Sequence, residues 1–164
     1  VLKDILGDVD KDVIDEKILK FKKEMKTSDI QNISLPTGVK KLSKFKDSTP
    51  RDAVFTNMKK GTPVHVKAAW VYNDLLKYWG LNNFEKIKSS EKIKWIYLKP
   101  NTMNIKQIGF KGYDDPPKIM EFIEQNIDYD KLFTRALEKK IRMFYEALKW
   151  DMPVDKANTL ERFF

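Results

Sequence analysis

Apolar residues recur every three or four positions in three stretches of the chain, the spacing that lays one stripe along an amphipathic helix. The first stretch, Val9 to Met25, carries Val9, Val13, Ile14, Ile18, Phe21 and Met25. The second, Val64 to Trp79, carries Val66, Ala69, Trp70, Tyr72, Leu75, Leu76 and Trp79, with Gly80 suited to close it. The third, Tyr129 to Trp150, carries Leu132, Phe133, Ala136, Leu137, Ile141, Phe144, Tyr145 and Leu148, and Pro153 follows as a stop. Capping chemistry adds two shorter helices. Thr49-Pro50 reads as an N-cap with proline at N1 of a helix to about Lys60, and Asp115-Pro116 as the same device for a helix to about Asn126.

Two segments alternate instead. Glu91 to Leu98 (EKIKWIYL) and Ile105 to Lys111 (IKQIGFK) predict strands paired through a turn at Lys99 to Asn104. Ile93, Trp95 and Tyr97 share one face while Ile96 and Leu98 share the other, so both faces are expected to be covered. Ile30 to Leu35 reads as a short extended piece, and Pro36-Thr37-Gly38 as a turn, because proline fixes its φ and glycine accepts positive φ. The expectation is an α+β fold: a mainly helical domain over residues 1–152 with a small antiparallel strand pair, then a tail over residues 153–164.

Composition narrows the chemistry. The 164 residues hold 41% hydrophobic side chains, enough for a folded core, but no cysteine and a single histidine. Thiolate metal sites and disulfides are thereby excluded, and one histidine leaves no imidazole cluster for a metal and none to spare for a triad. Asp8, Asp10 and Asp12 mimic the opening of a calcium loop, yet Val13 and Leu19 stand where such a loop needs Gly and Glu. Acids at a helix start are accounted for by the helix dipole. No apolar run is long enough to span a bilayer, so no membrane partner is expected.

Charge is unevenly placed. Residues 34–67 carry eight cations (Lys40, Lys41, Lys44, Lys46, Arg51, Lys59, Lys60, Lys67) against Asp47 and Asp52, a net of +6 in a chain whose total is +8. Residues 1–33 sum to −1, residues 68–113 to +5 and residues 114–164 to −2. A basic centre between near-neutral ends points to a directional surface for a polyanion, with a solvated lysine-rich face as the plain alternative. Lys40 and Lys41 follow the Thr37-Gly38 turn, whose freed amides suit a phosphate. His65 and Lys67 open the second helix and either face the same ligand or, for His65, bond to backbone. The tail ends Leu160-Glu161-Arg162-Phe163-Phe164. Its three apolar side chains either fold back on the core or plug a pocket on a partner.

Taken in order, these segments resemble the C-terminal thumb of the replicative family B DNA polymerases of T-even-type phages, over nearly the whole chain. Pro63-Val64-His65-Val66-Lys67 with Val71-Tyr72-Asn73, then Glu91-Lys92-Ile93, then Asp128-Tyr129, and finally Leu160 with Phe163 and Phe164, carry the resemblance. It implies a thumb that grips primer-template duplex DNA by sequence-independent backbone contacts near Thr37, Gly38, Lys40, Lys41, His65 and Lys67. Lys44 joins them on charge alone. It further implies a clamp-binding tail at Leu160, Phe163 and Phe164, and partnership with a sliding clamp and the remainder of the polymerase. Neither a cofactor nor a catalytic carboxylate is expected in this chain, magnesium belonging to a palm domain elsewhere. The location implied is the cytoplasm of an infected bacterial host. A stand-alone basic nucleic-acid-binding module is the alternative.

Overall fold

The computed structural model describes residues 10–45, 58 and 60–153. Asp29–Leu132 forms one compact unit, and the described parts of Val1–Ser28 and Phe133–Phe164 form another. The tail residues Leu160, Phe163 and Phe164 lie outside the described residues, as does most of the helix expected after Thr49-Pro50.

The unit Asp29–Leu132 is built on a three-stranded antiparallel sheet: β1 (Leu35–Gly38), β2 (Lys92–Tyr97) and β3 (Gln107–Phe110), in the order β1-β2-β3. The β2–β3 hairpin lies where the alternation placed it, with Ile96 opposite Ile108 and Trp95 opposite Gly109. Ile93, Tyr97, Ile96 and Leu98 are all buried, so both faces of β2 are covered. The third strand corrects the sequence reading. Leu35–Gly38 pairs along β2, with Pro36 opposite Lys94 and Gly38 opposite Lys92, instead of turning. Proline is tolerated there because β1 is an edge strand and its missing N–H removes no ladder bond. Gly38 is not among the positive-φ residues; the reversal comes later, where Lys41 takes φ 55°. The piece before β1 is likewise not extended: Ile30–Ile33 forms one helical turn, here α2, capped by Asp29 accepting from the Gln31 N–H.

The helix α3 (Val64–Tyr78) fills the prediction for the second apolar stripe. Val66, Ala68, Ala69, Val71, Tyr72, Asn73, Leu75 and Leu76 are buried, and the helix packs chiefly against β3 and β2. Gly109 makes that approach possible. A Cβ there would lie 3.2 Å from the backbone carbonyl of Ala68 and 3.0 Å from Cδ1 of Ile93, closer than a side chain is normally packed. Gly80, at φ +65°, closes the helix as expected, with the Leu81 N–H bonded to the Leu76 carbonyl.

Helix α4 (Pro117–Asn126) begins one residue later than the capping argument gave, at Pro117 with Pro116 before it. Asp115 does not cap it. Its two carboxylate oxygens accept instead from the backbone N–H groups of Lys111 and Gly112, closing the turn after β3. Pro116 and Pro117 have no N–H to offer a capping carboxylate, whereas the end of the strand offers two. Beyond α4, Asn126 and Asp128 bond to Lys99 and Tyr97 and extend the β1 side of β2.

In the other unit, α1 (Lys11–Met25) starts at Asp10, whose side chain accepts from the Asp12 N–H. The long helix expected from Tyr129 is divided. It runs as α5 (Tyr129–Phe133), which up to Leu132 belongs to the sheet unit, then a π-helical turn (Thr134–Glu138) and α6 (Lys139–Leu148). It stops at Leu148 because Lys149 takes a left-handed φ of 56° and the Trp150 N–H returns to the Tyr145 carbonyl. Tyr145 is buried, donates to Asp15 of α1, and receives the edge of Trp150.

Candidate functional site

Lys40, Lys41 and Lys44 share one corner of the sheet unit, and the backbone explains why; Lys46, Arg51 and Lys59 lie outside the described residues. The main chain leaves β1 at Gly38 and is at once tied down: the Val39 N–H donates to the Glu91 carbonyl at 2.9 Å, and the Ser90 N–H returns to the Val39 carbonyl. Val39 is fully buried while Lys40 and Lys41 on either side of the reversal are exposed. The chain then enters a short 3-10 helix, Leu42–Phe45, whose Leu42 N–H donates to the Ser89 hydroxyl at 3.0 Å. The Leu42 carbonyl accepts from the indole of Trp70 on α3 at 3.2 Å. Four hydrogen bonds at Val39 and Leu42 leave the backbone of Lys40 and Lys41 between them, and of Lys44 just beyond, little freedom.

The partner segment is itself anchored. Asn73 of α3, 7% exposed, bonds both the N–H and the carbonyl of Ile87, at 2.7 and 2.9 Å. A buried amide satisfied on both sides fixes a loop that would otherwise be free. It presents Lys88, Ser89 and Ser90 to the lysine turn, and Lys92 stands directly opposite Gly38. Lys88 and Lys92 are thus members of the basic cluster that the sequence reading missed. Only the register of β1 on β2 brings them in, and nothing in the local pattern around Pro36 announces that strand.

The expected residues do not all join it. Lys67 sits three positions before Trp70, about 60° away on the helix, and so shares the side that meets Leu42. His65 lies about 140° from Trp70 and points elsewhere. Its imidazole makes no hydrogen bond among the described residues, so neither reading of it gains a partner. Thr37 is half-buried in β1, and Gly38 is exposed with open space where a Cβ would project. Lys40, Lys41, Lys44, Lys67 and Lys92 carry no ion pair among the described residues. Lys88 has only a solvent-exposed contact with Glu85 at 3.9 Å, of little energetic weight. The Lys44 ammonium sits over the Phe45 ring. Among the described residues the cluster is therefore a positive field with little ion pairing.

A second polar cluster lies inward of this one. Lys111, 8% exposed, is flanked by Glu91 at 3.8 Å and Glu85 at 3.7 Å. The hydroxyl of fully buried Tyr72 points toward Asp115 without reaching hydrogen-bonding geometry. Burial first, then the Asp115 and Glu91 carboxylates, hold its proton far more tightly than in water. Asp115 is already engaged by two backbone N–H groups, and among the described residues no three acidic or imidazole side chains gather to hold a metal. The cluster pairs Lys111 with two carboxylates and ties the turn after β3.

No family model matches the chain. Among curated proteins it is similar to three from Homo sapiens. It is 33% identical over 61 residues to Putative protein SSX9, covering 37% of this chain and 32% of that one. It is 28% identical over 83 residues to Protein SSX5, covering 48% and 44%. It is 33% identical over 60 residues to Protein SSX4, covering 37% and 32%. The chain thus spans from about a third to somewhat under half of the length of the curated relatives it matches. These relatives are human SSX proteins, and the finding overturns the resemblance to a phage polymerase thumb. With it fall the primer-template and clamp-tethering function, the alternative of a stand-alone nucleic-acid-binding module, and the infected bacterial host as location. What stands is an α+β protein in which no described helix is long and apolar enough to cross a membrane.

Proposed function

We propose that the chain is a binding module and that its lysine corner receives an acidic segment of a partner protein. One observation carries this reading: Lys40, Lys41 and Lys44, without ion pairs among the described residues, sit on a backbone held by Glu91, Ser89 and Trp70. A fixed, uncompensated array of like charge is costly to the fold and useful to an anionic ligand. The described cations of the corner are all lysines, compact point charges lacking the planar fork by which arginine grips phosphate. They suit carboxylates spread along a flexible chain. Nor does the strand edge supply a ladder, since Pro36 has no N–H to give. Side-chain charge is the means of recognition.

The test is fluorescence anisotropy with a labelled peptide rich in Glu and Asp, at low and moderate salt. The wild-type chain binds, and affinity falls as salt rises. Reversing Lys40, Lys41 and Lys44 to Glu together weakens binding about 10- to 100-fold. Reversing Lys139 and Lys140 of α6 leaves it nearly unchanged. Equal losses from the two sets, or tighter binding of a duplex DNA of matched charge, overturns the reading.

A further inference from the structure

Ser89 occupies an unusual position in this corner, and we infer that it is a phosphorylation site that switches the lysine surface off. The inference rests on the acidic-partner reading above and adds its regulation. Three observations lead to it. First, Ser89 is exposed, yet its hydroxyl accepts the Leu42 N–H at 3.0 Å, across 47 residues of chain. The hydroxyl therefore stands at the joint between the two halves of the basic cluster. Second, lysines surround that joint along the backbone: Lys41 precedes Leu42 and Lys44 follows it by two, Lys88 adjoins Ser89, and Lys92 lies three residues on. Third, Lys86 and Lys88 stand three and one residues before Ser89. Basic residues just N-terminal to the acceptor form the charge pattern selected by Ser/Thr kinases with acidic substrate clefts.

The chemistry needs only ATP and such a kinase. The Ser89 Oγ–phosphorus bond forms as the bond from the γ-phosphorus to the β,γ-bridging oxygen breaks. The hydroxyl proton passes to the kinase base, and ADP leaves with the bridging electron pair. The product keeps an acceptor for the Leu42 N–H and adds close to two negative charges within one Debye length of the neighbouring lysines. Those lysines then pair internally, and the field that attracts an acidic partner collapses. Ser90, one residue on, lacks the tie to Leu42 and spends its N–H on the Val39 carbonyl at φ 74°. Ser89 is the acceptor that joins both halves.

The experiment uses the full chain, a basophilic Ser/Thr kinase and ATP, with the modified residue located by mass spectrometry. The Glu/Asp-rich peptide above then reports affinity. Phosphorylation at Ser89 is expected to lower peptide affinity about tenfold at low salt. Ser89→Glu reproduces part of the loss, while Ser89→Thr, which keeps the hydroxyl, binds like the unmodified chain. A kinase that leaves Ser89 unmodified overturns the inference, as does a phosphorylated chain that binds the peptide undiminished; in both cases the acidic-partner reading stands. If the unmodified chain fails to bind the peptide, the reading itself falls and takes the switch with it.

Discussion

The two compact units use similar helices to different ends. In Asp29–Leu132 the stripe of α3 meets a sheet, and Tyr72, Leu75, Ile93, Ile96, Ile108 and Phe110 are almost wholly excluded from water. In the other unit the stripes of α1 and α6 meet few apolar partners among the described residues. Val13 and Phe21 remain 45% exposed, Phe144 53% and Met143 62%, and of the helical residues only Met25, Phe133 and Tyr145 are buried. Equal periodicity thus yields unequal burial. A stripe is a capacity to pack, and the area facing it decides how much of that capacity is used.

The contrast is open to direct test. Phe110→Ala opens a cavity in a fully buried site and costs about 3–5 kcal/mol by denaturant titration, whereas Phe21→Ala costs about 0.5 kcal/mol. Similar losses at both positions would mean that α1 packs as tightly as the sheet. Gly109→Ala ranks next. The added methyl meets the Ala68 backbone and Ile93, and a loss of about 1–3 kcal/mol is expected, relieved in part by Ile93→Val.

The tyrosines sharpen the comparison at smaller scale. Tyr145→Phe deletes the hydrogen bond to Asp15 and costs about 1 kcal/mol. Tyr72→Phe deletes a buried hydroxyl that has no hydrogen-bond partner, so it falls within about 0.5 kcal/mol of wild type or on the stabilising side. The reverse order would place the stronger hydroxyl contact in the sheet unit. Alkaline pH gives the last test. Both hydroxyls titrate higher in the folded chain than in the unfolded one, by burial and then by the carboxylate each faces. The folded state therefore holds its protons longer. Stability from this source is complete below about pH 10, the unfolded tyrosine value, and declines as pH rises above it. Each Tyr→Phe change removes part of that decline, readable from denaturant midpoints between neutral and strongly alkaline pH.

Much of the fold was legible in the chain. The stripe from Val64 to Trp79 with Gly80 behind it specified α3 nearly to the residue, and the alternation in EKIKWIYL and IKQIGFK specified the hairpin. These are local signals, set by periods of 3.6 and 2 and by a glycine that must take positive φ. The candidate site was half legible. Lys40, Lys41 and Lys44 stood out by charge density, but Lys88, Lys92 and Ser89 joined them only through pairing across about fifty residues. The wider resemblance failed for a related reason: short matched motifs and net charge describe a surface type and do not identify a protein.

By itself, then, the sequence determined α1, α3 and α4 to within a residue or two, the hairpin, the lack of thiol chemistry, and the excess of lysine in residues 34–67. Tertiary structure alone decided three further things. It made Pro36-Thr37-Gly38 an edge strand instead of a turn, because β2 had an unfilled row of hydrogen-bonding groups beside it. It took Asp115 from the helix and gave it to the Lys111–Gly112 turn, because two N–H groups were to be satisfied there while Pro116 and Pro117 at the helix start have none. And it gathered lysines from separate segments onto one clamped corner. Each outcome depends on which backbone group is left without a partner, and no local period in the chain encodes that.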